Sequence, residues 1–275
     1  MSLPVLVVGL LRPDLGRRTT HLGVPVADLR HDDAVLEAAA DLDAPDEPLV
    51  LLAEHRSQRA ARRAQVLASV ALPRTPVVLR TPSATPLGVW AAADALVREP
   101  VDAGTGLALL DELLRRLWSG VWTPSVRRLE DPAPSLAQHA RSLLPGGGFL
   151  AEPGRGVRPA GGSLEALEVV TAPDGPRVLR HTPVTDPRLS WLVGEAQRVT
   201  RADTVEPVAS WQDPLDAYGT ATAVELALLP TAGARAAAER DLQPCDGCRR
   251  RRAAGTCGFC GMTTGPVPAP VLEAS

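Results

Sequence analysis

The chain has 275 residues, 45% of them hydrophobic and 22% charged, with a formal net charge of -3. That balance excludes wholesale disorder and excludes a nucleic-acid binder held by bulk positive charge, so any basic function must be local. All 29 basic residues are arginine, and a chain without lysine cannot carry a P-loop of the usual type, form a Schiff base or supply the lysine of a kinase site.

The length suits one large domain or two ordinary ones. Residues 5–11 are an aliphatic run too short for a signal sequence and without a preceding basic region, so it reads as a buried strand. Residues 32–42 have a helical pattern, 48–53 form a second aliphatic run, 56–70 are rich in Ala and Arg and helical, and 76–79 are a third strand candidate. Thr85 and Pro86 offer an N-cap followed by proline at the first helical position, opening a helix through Val97. Aliphatic strands alternating with helices predict a parallel sheet covered on both faces. Leu107, Leu110, Leu114 and Leu117 recur at helical spacing, so a helix is expected over 107–119, ended by Gly120.

Texture changes at 145–162, where eighteen residues hold seven Gly and three Pro; a boundary or long loop is expected there. A hairpin is expected around Pro173, Asp174 and Gly175, with arms 164–171 and 177–181. Helices are expected over 189–201, 214–229 and 232–242. The organisation read from these signals is an α/β domain over 1–125 with a parallel sheet flanked by helices, a Pro/Gly-rich connection over 126–162, an α+β region over 163–232, a four-cysteine module over 233–266 and a tail over 267–275.

The four cysteines form two CxxC pairs, Cys245/Cys248 and Cys257/Cys260, separated by eight residues. Each pair folds as a tight turn eased by Gly247 or Gly258, and two such turns aim four sulfurs at one point, the tetrahedral geometry zinc prefers. The segment resembles the zinc-ribbon and zinc-knuckle class over about twenty residues. Zn2+ is the expected cofactor. Iron, as a rubredoxin-like or iron–sulfur centre, shares the same ligand set, and a redox or disulfide role is a third reading. Arg249, Arg250, Arg251 and Arg252 lie between the pairs. They either balance the charge of the thiolates or present a surface to a carboxylate or phosphate partner. No aromatic residue is interleaved in the run, so base stacking is not indicated and a protein partner is favoured over nucleic acid. No stretch reaches the length of a membrane span. Arg17–Arg18 is a twin-arginine pair with no hydrophobic run after it. A cytoplasmic location, where thiols stay reduced, is expected.

Catalytic motifs are sparse. Gly104-Thr105-Gly106 begins like a dinucleotide fingerprint but lacks the third glycine and a preceding strand. His31-Asp32-Asp33 could ligate a metal but suits a helix start, and His21, His55, His139 and His181 are scattered. Glu54, His55 and Thr81 follow two of the strand candidates, where open α/β sheets place their sites. The function expected from sequence is that of a non-catalytic, zinc-containing binding or accessory protein whose cysteine module and Arg loop contact a partner. The alternatives are an enzyme with its active site on the α/β domain and a purely structural zinc, or an iron-binding electron carrier.

Overall fold

The computed structural model describes residues 3–42, 47–143, 147–164, 177–240, 242–253 and 255–263. The hairpin turn expected at Pro173, Asp174 and Gly175, most of its first arm and the tail over 267–275 lie outside these residues.

The first half alternates as its sequence pattern requires. Strand β1 (Val5–Gly9) is followed by β2 (Arg18–His21) and β3 (Val24–Asp28), then by helix α1 (Asp32–Asp41), β4 (Leu49–Leu52), α2 (Gln58–Ala71) and β5 (Val77–Arg80). The strands form one sheet of order β2-β3-β1-β4-β5 in which β2 alone runs antiparallel. Every residue of β1 and β4 is buried, because both faces of a parallel sheet are covered. One cover is α1 and α2, whose Ala34, Ala38, Ala39, Ala61, Ala64 and Ala68 are all buried and small enough for the helices to lie close on the strands. The β2–β3 hairpin carries no sequence signal: its turn places Leu22 and Gly23 at φ 48° and 88°, a conformation usually marked by Asn-Gly.

The other cover is α3 (Pro86–Val97). Thr85 caps it by accepting from the Gly88 N–H at 3.2 Å. Ten of its residues are buried, so the helix is apolar nearly all round and must be enclosed on every side. The enclosing surface is a second sheet. After α3 come α4 (Ala103–Arg116), β6 (Trp118–Thr123), α5 (Leu136–Arg141), β7 (Phe149–Glu152), β8 (Gly156–Pro159), β9 (Val178–His181), α6 (Ser190–Thr200), β10 (Thr204–Pro207), α7 (Pro214–Tyr218), β11 (Val224–Leu228) and α8 (Ala234–Glu239). Six strands pair in the order β10-β9-β11-β6-β7-β8, antiparallel except for β9 with β10. Helix α3 packs against β1 and β3 of the first sheet and against β11, β6 and β9 of the second, while α6 closes the far face. The approach is close at Gly88, where a methyl group would lie 2.9 Å from the Ser119 side chain.

Three expectations fail in this half. The helix expected over 107–119 begins earlier, at an Asp102 cap that accepts from the Gly104 and Thr105 amides at 3.0 Å, and it ends at Arg116; Gly120 lies inside β6 instead of ending a helix. The helix expected over 214–229 is the single turn α7, stopped by Gly219 at φ 72°, followed by the central strand β11. Val224-Glu225-Leu226-Ala227-Leu228 is buried throughout, and a short apolar run reads equally as strand or helix. The glycine-rich stretch over 145–162 carries strands β7 and β8.

Candidate functional site

The parallel strands of the first sheet end at the first turn of α3, the crevice where open α/β sheets place ligands. The second sheet's connections fill this crevice. The Trp211 ring lies over Gly9, where an added methyl group would meet it at 2.5 Å, and the backbones of Leu11 and Gln212 form a β-bridge. A buried polar cluster follows. Glu54, at the end of β4, pairs with Arg56 at 2.7 Å and accepts from Gln212 Nε2 at 3.1 Å. Arg56 also donates to Gln212 Oε1 at 2.7 Å and to the Ala217 carbonyl, and its guanidinium stacks over the Tyr218 ring at 5.4 Å. Glu225 of β11 accepts the Leu87 N–H at 2.7 Å, at the positive end of α3.

The cluster therefore holds two buried carboxylates and one guanidinium. Burial raises the Glu225 carboxyl to about 7; the Leu87 N–H opposes the rise and the charge of Glu54 adds to it. Burial also pushes the Tyr218 hydroxyl well above its ordinary value, with the neighbouring Glu225 charge adding to the rise. Tyr218 stands against Glu225 without an aligned hydrogen bond, and the Trp211 indole N–H likewise has no hydrogen-bond partner among the described residues. For Arg56, burial is the largest single cause and favours the neutral form, but the charges of Glu54, Tyr218 and Glu225 and the hydrogen bond to Glu54 together outweigh it, and the guanidinium's affinity for its proton is raised.

A cavity of about 240 Å³ opens at the other end of the same seam. Its floor is Ala95 of α3, Leu109 and Leu113 of α4, Val178 of β9, Leu229 after β11 and Ala234 of α8. Its rim carries Arg98, Arg180 and Arg235 with Asp94 and Glu99. Asp94 is buried and pairs with Arg98 at 2.8 Å and Arg180 at 3.3 Å; Arg180 also lies over the Trp90 ring at 5.6 Å and pairs with Glu206 at 3.3 Å. Two larger hollows, of about 360 Å³ beside Arg18 and Asp41 and about 480 Å³ beside Asp102 and Arg251, draw no residue from the second sheet.

Of the residues marked by sequence, Cys245, Cys248, Cys257 and Cys260 come together, with all four sulfurs within 4.8 Å of one another. Three of the four arginines make contacts within the chain: Arg252 is buried, Arg250 stacks on Phe259 at 5.5 Å and Arg251 reaches Thr105 Oγ1 at 3.4 Å, whereas Arg249 is exposed. Glu54 enters the polar cluster, as its place after β4 suggested. Asp32 and Asp33 instead pair with Arg63 and Arg17 on the surface. Asp94, Arg180, Gln212, Tyr218 and Glu225 were missed. Asp94 could have been found, since it is the one charged residue in the apolar run 86–97; Glu225 was hidden by the mistaken helix.

No protein-family model matches the chain, and no curated protein matches its sequence. Its fold is that of the DegV-family structures. A DegV family protein from Eubacterium eligens loaded with heptadecanoic acid is similar over 82% of this chain and 98% of that one, with TM-score 0.59 and 11% identity. A fatty acid binding DegV family protein from Streptococcus agalactiae is similar over 84% and 99%, with TM-score 0.56 and 12% identity. The dihydroxyacetone kinase from C. freundii, with TM-score 0.54 and 13% identity, is similar over 86% of this chain and half of that one. These likenesses overturn the expected function of a non-catalytic accessory protein that works through a zinc-ribbon module and an Arg loop, because the fold is shared with structures that hold fatty acids; the four cysteines nonetheless stand together as a cluster. No helix among the described residues is long and apolar enough to cross a membrane.

Proposed function

We propose that the protein binds a fatty acid in the cavity between the second sheet and helices α3, α4 and α8. The observation that carries this reading is the cavity's make-up: an apolar floor drawn from α3, α4, α8 and the second sheet, and an arginine rim, in a fold whose solved representatives include fatty-acid-binding proteins. The floor takes the acyl chain by burying apolar area, at about 25 cal/mol per Å². The carboxylate meets the largely buried Arg180, displacing the exposed Glu206 from it, an exchange of one carboxylate partner for another. About 240 Å³ falls short of the roughly 300–1,000 Å³ usual for ligand sites, so a long acyl chain requires the cavity to widen. The four free thiols fit a reducing compartment, the cytoplasm. Fold alone does not fix function, as the likeness to a kinase illustrates.

The test is lipid extraction from the purified protein with mass spectrometry, together with titration of a fluorescent fatty acid. Saturable binding that Leu113→Trp abolishes supports the reading. Absence of co-purified and added fatty acid alike, or binding that Leu113→Trp leaves intact, overturns it.

A further inference from the structure

The C-terminal cysteines lie on two turns built alike. In the first, the Arg249 N–H donates to the Cys245 carbonyl at 2.8 Å and the Cys245 N–H to the Arg250 carbonyl at 2.9 Å. In the second, the Gly261 N–H donates to the Cys257 carbonyl at 2.9 Å and the Cys257 N–H to the Met262 carbonyl at 2.8 Å. Arg249 and Gly261, each the residue after the second cysteine of its pair, both adopt the left-handed conformation, at φ 61° and 72°. Such a conformation costs a non-glycine residue about 1 kcal/mol, so Arg249 holds it because the turn demands it. The turns face each other: Cys245 and Cys260 sulfurs are 3.6 Å apart, and those of Cys248 and Cys257 are 3.7 Å apart. Four sulfurs about 2.3 Å from a tetrahedral centre would stand roughly 3.8 Å from one another. A disulfide would bring a pair to about 2.05 Å. From this match we infer that Cys245, Cys248, Cys257 and Cys260 hold one tetrahedral divalent metal ion, zinc by its donor set, and that the ion fastens the C-terminal module onto α4.

The second half of the inference rests on how the module is seated. A methyl group on Gly104 would lie 2.3 Å from the Arg251 carbonyl oxygen, so only glycine at that position lets the strand β13 (Arg251–Arg252) close on the helix. Gly258 fits against Leu107 in the same way, with 2.6 Å to Cδ2 for an added methyl group. Phe259 packs on the core cluster of the first sheet. Apart from these contacts, the secondary structure of the cysteine segment among its described residues is the two-residue ladder of β13 with β12 (Gln243–Pro244) and the bridge between Thr256 and Thr263. A segment of about twenty residues cannot bury enough apolar surface to hold its shape, and metal ligation supplies that free energy in small modules. Four thiolates around a divalent ion leave a charge of about -2, which the run from Arg249 to Arg252 offsets.

The run also provides a readout, because trypsin cleaves after arginine. The full-length protein, purified without chelator, is expected to contain one zinc per chain and to resist trypsin at Arg249–Arg252. A strong chelator, or the Cys257→Ser/Cys260→Ser double variant, should speed cleavage there about tenfold or more, located by fragment mass. Gly104→Ala should keep its zinc, since every ligand remains, yet be cut faster in the same run because the module cannot seat. Protein free of zinc, iron in its place, or a mass showing two disulfides overturns the metal site. Cleavage that neither chelation nor Gly104→Ala changes overturns the fastening role.

Discussion

The two ends of the seam between the sheets use arginine and carboxylate in opposite ways. At the strand ends, Glu54, Arg56, Gln212 and Glu225 interlock with Trp211 and Tyr218, and the crevice is filled by the chain itself. At the far end, Asp94, Arg98 and Arg180 pair along the edge of an apolar hollow that none of the described residues fills. A buried, interlocked cluster fixes how the lobes sit, because each charge removed leaves another without compensation. An arginine with an exposed partner can exchange it for a ligand at little cost. The position where α/β sheets usually bind therefore serves here to join the lobes, and the open end is where the occupant is proposed.

The sharpest way to break this contrast is Arg56→Met. It leaves the buried Glu54 without its counter-charge and should cost about 3–5 kcal/mol in urea unfolding at neutral pH. A loss under 1 kcal/mol would mean the cluster does not join the lobes. Next in size is pH. The folded-state value of Glu225, about 7, lies above its unfolded value near 4.5, so the folded form holds the proton more tightly. Its contribution is fully present below pH 4.5, falls as pH rises to about 7, and stays low above that. The 2.5-unit difference, 7 less 4.5, amounts to about 3 kcal/mol at about 1.36 kcal/mol per unit. Glu225→Gln keeps an acceptor for the Leu87 N–H and should flatten that part of the stability–pH curve; an unchanged curve would assign the dependence to another group.

At the open end, Arg180→Gln should lower affinity for a fluorescent fatty acid about tenfold, or roughly 1.4 kcal/mol, with a smaller loss of unfolding free energy than Arg56→Met because the buried Asp94 keeps its pair with Arg98. Equal losses of binding and stability would make Arg180 part of the joint instead. The smallest effect is a control outside the seam. Gly194 lies inside α6 with open space where a methyl group would go, so Gly194→Ala should stabilise the protein by about 0.5–1 kcal/mol without altering binding.

Strand–helix alternation before residue 80 was legible because every strand there except β2 and β3 is a continuous aliphatic run and every helix has a helical repeat. Thr85 with Pro86 announced α3, and the two CxxC pairs announced the cysteine cluster, since four ligands within sixteen residues need only two local turns to meet. Of the second sheet only β9 was legible, as the arm expected over 177–181. The sheet's strands are four to six residues long, and β11 is apolar at every position but Glu225, so neither period could be read from it. The joint between the lobes was beyond reach for another reason. Glu54 and Gln212 lie 158 residues apart, and Leu87 and Glu225 lie 138 apart. The sequence could determine which segments want burial and which local turns form, because those depend on neighbours along the chain. Which charges meet in the crevice, and that the hollow lies at the opposite end, depends on how two sheets close around α3, and only the tertiary structure decided it.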